Sequence, residues 1–121
     1  MTPGAEKLLA DTRALAVAEI ETHRAVIPKL QAESEAAAAS VRSITAELRG
    51  LQSAVDGTQS PAGLITGVLG ELQDQLTSAK GAAKRAANEV ESTRARLTKL
   101  ETEVREIDRL LHPETVAEEA A

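Results

Sequence analysis

The chain has 121 residues, with 14 Lys and Arg against 19 Asp and Glu for a formal net charge of -5, no Cys, and no Phe, Tyr or Trp. That composition excludes disulfides, thiolate metal sites and Cys nucleophiles, and it argues against a nucleic-acid surface, which needs a basic footprint and stacking aromatics. Without aromatics, buried area has to come from aliphatic side chains spread along an extended contact, which suits paired helices better than a compact globule.

Near the start, charged residues such as Glu6, Lys7 and Asp11 leave no room for the apolar stretch of a secretion signal. No uncharged apolar run approaches the ~20 residues of a membrane span. The expectation is a soluble protein, cytoplasmic or part of a particle. Pro3 and Gly4 suggest a frayed entry, with the first helix established from about residue 5.

From Leu9 onward, seam positions recur at alternating steps of four and three. The apolar ones are Leu9, Ala16, Ile20, Ile27, Leu30, Ala37, Val41, Ile44, Leu48, Leu51 and Val55, and Arg13, His23 and Ser34 fill the rest. A repeat averaging 3.5 residues keeps one stripe of an α-helix facing one partner, the signature of a coiled coil. Pro28 lies beside this stripe. Its ring removes one backbone donor and crowds the carbonyl four residues earlier, yet the repeat passes through in phase, so a kinked continuous helix is expected, with a break near residue 27 as the rival.

Asp56-Gly57-Thr58-Gln59-Ser60-Pro61 reads as the turn. Gly57 suits a left-handed residue closing the first helix, and Ser60 with Pro61 suits the N-cap and first position of the next. The boundaries read from sequence are helix 1 at about 5–56, a turn at 57–60, helix 2 at about 61–112, and an acidic tail at 113–121, poorly ordered unless a partner orders it. Gly63, Gly67 and Gly70 weaken the first turns of helix 2 and favour fraying there.

The second seam holds the same alternation: Ile65, Leu69, Leu72, Leu76, Ala79, Ala83, Ala86, Val90, Leu97, Leu100, Val104, Ile107 and Leu111, with Thr93 the one polar member. His112-Pro113 ends the helix. So short a connection forces the helices antiparallel. The fold class is therefore all-α, an antiparallel two-helix coiled-coil hairpin with arms of about 45 to 50 residues, or about 70 Å, packed into a larger helical assembly.

Folding about Ser60 sets Val55 against Ile65, Leu48 against Leu72, Ile44 against Leu76, Ala37 against Ala83, Leu30 against Val90 and Ile20 against Leu100. Small residues coincide, which predicts a narrow middle. The same register brings Glu19 near Glu103, Glu33 near Glu89 and Arg24 near Arg94, all like-charge contacts. A one-heptad slide would instead join Arg24 to Glu101, at the cost of a longer turn. A parallel partner helix would relieve the repulsion by facing Glu19 with Arg24, Glu89 with Arg94 and Arg96 with Glu101, a hint of homo-oligomers.

Leu8, Leu15, Val17 and Leu110 lie off the stripe near the termini, and Leu64 and Val68 lie off it near the turn. A two-helix hairpin would leave all six in water, so they are the candidate contacts with other chains.

Chemistry is harder to find. His23 has Glu19 one turn before it, but a helical metal site needs several convergent carboxylates, so a seam residue that fixes register is the reading. His112 is a helix-end residue. Ser and Thr lack a nucleophile-elbow context, and no Gly-rich loop follows a strand. The basic group Lys80, Lys84, Arg85, Arg94, Arg96 and Lys99, interrupted by Glu89 and Glu91, reads as a solvated face, as do Glu101, Glu103, Glu106 and Asp108 alternating with Arg105 and Arg109. No catalytic, cofactor or metal residue is assigned, and no small-molecule substrate.

The expectation from sequence is thus a non-enzymatic structural or assembly protein that self-associates or docks into a larger complex. The Ala- and Arg-rich, Asn-poor composition is what GC-rich coding produces, so a bacteriophage particle or bacterial apparatus is the expected setting. The alternative is a carrier or chaperone-like hairpin whose apolar tip, Leu64, Ile65, Val68 and Leu69, captures a client protein.

Overall fold

A computed structural model describes residues 1–57 and 63–113 of the chain. Its two long elements are both α-helices, α1 at Pro3–Asp56 and α2 at Gly63–Leu111. They pack against each other as a helical hairpin. The expected cap at Ser60 and Pro61 and the acidic tail lie outside the described residues.

The start of α1 is capped, not frayed. Thr2 Oγ1 accepts a hydrogen bond from the Ala5 N–H at 3.3 Å, and the Thr2 carbonyl accepts from the Glu6 N–H at 3.0 Å. Pro3 then occupies the first helical position, where its missing N–H costs nothing. The pair read as a frayed entry is a helix-start signal once Thr2 is counted as the cap.

At the other end, Gly57 does not take the left-handed conformation expected of it, since no glycine among the described residues has positive φ. Glycine permits that conformation without requiring it. Pro28 does not break α1, which runs unbroken from Pro3 to Asp56 with Pro28 inside it. The end of α2 is closed by a hydrogen bond of 2.7 Å from the His112 N–H to the Asp108 carbonyl.

Packing divides the described residues into two units. Unit 1 comprises residues 1–29 and 91–113; unit 2 comprises Leu30–Val90. In α1 the division follows Pro28 by one residue.

In unit 1 the core is Ala16, Ile20 and Leu100, with Leu97 and Val104 packed against it. Ile107 is also buried. Ile20 and Leu100 therefore meet as the seam register requires. In unit 2 the buried side chains are Leu30, Leu48 and Val90. Every seam position named above is buried or half-buried in its unit except Ile65, which is 37% exposed at the start of α2. Burying a Leu, Ile or Val side chain in this way stabilises by about 1.5–3 kcal/mol.

The small-residue stretch of unit 2 is not sealed. None of the seam residues Ser34, Ala37, Val41 and Ile44, nor Leu76, Ala79, Ala83 and Ala86, reaches full burial. Instead of the narrow middle alone, a groove of about 580 Å³ opens along Ala37, Ser40 and Ile44 of α1 and Glu71, Asp74, Gln75, Ser78, Ala79 and Ala82 of α2. Methyl groups cannot fill the space between two helices to the density that Leu layers reach.

Candidate interaction surface

The helical repeat gives each helix two flanks beside its seam. One consists of residues immediately before a seam position, the other of residues immediately after. In both units the hairpin sorts these flanks onto opposite sides. Unit 1 pairs Glu19 with Arg96, both of which precede a seam residue, and Arg24 with Glu101, both of which follow one. In unit 2 the groove is walled by Ser40, Glu71, Gln75, Ser78 and Ala82, all of which precede seam residues. These are the leading and trailing sides below.

Of the polar seam positions of unit 1, Arg13 pairs across the two helices and His23 within α1. Arg13 Nε donates to Asp108 Oδ1 at 2.7 Å. That contact, led by the hydrogen bond and reinforced by the carboxylate charge, holds the Arg13 guanidinium above its ordinary pKa. On the leading side, Arg96 forks onto Glu19, with Nε donating to Oε1 at 3.2 Å and Nη2 to Oε2 at 3.4 Å. His23 Nε2 lies 3.4 Å from the same Glu19 Oε1. On the trailing side, Arg24 Nη2 is 3.7 Å from Glu101 Oε1.

These pairs correct three expectations. Glu19 and Arg24 meet opposite charges, not Glu103 and Arg94, and they do so without the one-heptad slide, because Ile20 and Leu100 stay in one cluster. Long side chains reach diagonally across the pair, and Coulomb preference selects the attractive partner. Glu101 and Asp108 are cross-helix partners and not only a solvated face. Of the six charges invoked for a parallel partner helix, Glu19, Arg24, Arg96 and Glu101 are already engaged inside the hairpin, which leaves Glu89 with Arg94 as what remains of that hint.

Glu19 gives a pH test. The hydrogen bond from Arg96 leads in lowering its pKa, partial burial opposes the shift, and His23 adds to the lowering. A carboxylate depressed on folding contributes stability that is fully present above its unfolded pKa and is lost as pH falls through the lower folded value. Thermal melts at about pH 7 and about pH 3 should therefore show a smaller acid-induced drop for Glu19→Gln than for the parent chain. An equal drop would show that the Arg96 pair does not shift the titration.

Other polar groups serve the helices. Thr22, Thr45, Thr77, Thr98 and Thr102 each donate a hydroxyl to the carbonyl four residues earlier. Among the described residues no group of three or more His, Asp or Glu is placed to hold a metal ion, and no buried side-chain polar atom lacks a partner. No described helix is long and apolar enough to cross a membrane.

Of the six candidate contact residues, five are exposed: Leu8, Leu15 and Leu110 in unit 1, Leu64 and Val68 in unit 2, with Leu15 at 74% and Leu64 at 86%. Val17 differs. It is half-buried and lines a shallow trailing-side groove with Ile20, Arg24, Glu101 and Val104, so α2 partly covers it. Val26 is an exposed aliphatic that the sequence reading passed over.

The five share a property with Val26. Leu8, Leu15, Val26, Leu64, Val68 and Leu110 each immediately precede a seam residue, so in each unit the exposed Leu and Val residues lie on the leading side, and the exposed Ile65 stays on the seam. The sequence carried that signal: the Leu and Val residues found immediately before a seam position are these six. No family model matches the chain, and no curated protein or solved structure matches it.

Proposed function

We propose that this chain is a non-enzymatic structural or assembly protein acting through coiled-coil helix packing, with self-association along its leading side as the means of building a larger complex. The observation that carries the reading is the confinement of the exposed Leu and Val residues to that side in both units. One stripe on each helix is used inside the hairpin. Beside it, Leu8, Leu15, Val26 and Leu110 in unit 1 and Leu64 and Val68 in unit 2 face solvent, and exposed Leu and Val gathered on one side of a helix are buried when further helices pack there. The four-three burial pattern, kept at every named seam position but Ile65, supports coiled-coil geometry for the hairpin itself.

Sedimentation equilibrium over a wide concentration range tests the proposal. The expected result is a mass that rises from one chain to multiples of it. The triple variant Leu8→Lys, Leu15→Lys, Leu110→Lys should shift the equilibrium toward monomer while far-ultraviolet circular dichroism stays helical. A single-chain mass at every concentration would overturn the reading.

A second reading is a carrier or chaperone-like hairpin, favoured by the exposure of Leu64 and Val68 together at the start of α2. Under it, Leu64→Glu with Val68→Glu abolishes client binding without loss of helicity and leaves the self-association equilibrium unchanged.

A further inference from the structure

The charges of unit 2 are sorted by side. Of its five basic residues, Arg42, Arg49, Lys80 and Lys84 immediately follow seam positions and so lie on the trailing side, leaving only Arg85 on the other. Of its seven acidic residues, Glu33, Glu47, Glu71 and Glu89 precede seam positions, and Asp74 lines the leading-side groove beside Glu71. Glu35 and Asp56 alone follow seam positions. Among the described residues none of these charges forms an ion pair, since all the ion pairs lie in unit 1.

Sorting of this kind is not needed to hold the hairpin together. Cross-helix attraction would be served by placing opposite charges on the same side, as unit 1 does with Glu19 and Arg96. In unit 2 each side instead carries one dominant sign, so neighbouring charges on a side repel, and the complement of each side is found on the opposite side of an identical chain.

We infer that the leading-side groove of unit 2 receives the trailing side of unit 2 from a second copy, with Arg42, Arg49, Lys80 and Lys84 of the incoming chain facing Glu33, Glu47, Glu71, Asp74 and Glu89 of the receiving one. The inference rests on the self-association proposed above and specifies its geometry. Two grooves face to face would oppose acid to acid; groove against trailing side is attractive. The walls of the groove are small, Ser40, Ser78, Ala79 and Ala82, so an incoming helix can approach closely. The contact uses different surfaces on its two copies, so it is heterologous, and each added chain presents a fresh groove or a fresh basic side.

Two charge-reversal variants test this, both at exposed positions where helicity is readily checked. Glu71→Lys with Asp74→Lys destroys the groove's acidity but keeps the basic side. Lys80→Glu with Lys84→Glu does the reverse. Each variant alone should associate more than about tenfold more weakly than the parent chain, and parent association should weaken as sodium chloride rises. Mixed in equal amounts, the two restore complementarity at both contacts, since the acidified side of one variant now matches the basic groove of the other, and association should recover toward that of the parent chain.

A mixture that stays monomeric overturns the inference, as does undiminished association of either variant alone. The self-association reading survives those results provided the parent chain still assembles. A parent chain that is monomeric throughout overturns both.

Discussion

Replacing Leu100 with Ala should destabilise the hairpin by about 3 kcal/mol, the largest loss expected from any single truncation in the chain. Leu100 is the most buried residue described, at 2% exposure, and it packs with Ala16 and Ile20 in the core of unit 1. Its loss removes both the transfer energy of the side chain and the contacts that Ala16 is too small to recover. Folded domains are stable by only about 5–15 kcal/mol, so a cost of this size is a large fraction of the total. Urea or thermal melts followed by circular dichroism, at concentrations where the chain is monomeric, measure it. Leu15→Ala is the control: at 74% exposure it should change stability by less than about 0.5 kcal/mol. Comparable losses for the two would mean that the seam does not carry the fold.

Pro28→Ala should act in the opposite direction, stabilising by about 1–3 kcal/mol. Pro28 is inside α1 and exposed, so the substitution forfeits no packing. It restores an N–H where the helix has none and relieves the ring's crowding of the Arg24 carbonyl. A gain of this size raises the melting temperature by several degrees in a chain this small. Destabilisation instead would mean that the packing on either side of residue 28 requires the backbone geometry that proline imposes.

What the sequence reveals and what it hides follow from the physics of each feature. The seam is legible residue by residue because a 3.5-residue repeat is a property of backbone geometry, and its members from Leu9 to Val55 and from Leu69 to Leu111 are all at least half-buried. The continuity of α1 through Pro28 is legible for the same reason: the phase does not change there. The helix start is misread as frayed because Pro3 and Gly4 are weighed before Thr2 is considered as a cap. Partner choice among flanking charges is misread because residues one heptad apart are both within reach of a long side chain, and only the three-dimensional arrangement selects Arg96 for Glu19 and Glu101 for Arg24. The groove of unit 2 is missed because an Ala-rich stretch suggests close approach, whereas small side chains also leave space unfilled.

The candidate surface falls between these cases. Five of the six residues singled out from sequence are exposed, and the reason they form a set, their common position just before a seam residue, emerges only when burial defines the seam. Val17 leaves the set because it follows Ala16 and so lies on the other side of the seam, half-buried in a groove beside Glu101 and Val104 of α2.

The account stands on the stripes of α1 and α2 facing each other within one chain, and a cross-link at Ile20 and Leu100 tests that most directly. The parent sequence has no Cys, so Ile20→Cys with Leu100→Cys introduces the only thiols. Oxidised at high dilution, this variant should close an intramolecular disulfide, keep the mass of a single chain, and melt at a higher temperature than its reduced form. Disulfide-linked dimers in place of the closed monomer would show the two stripes meeting between molecules and would contradict the hairpin.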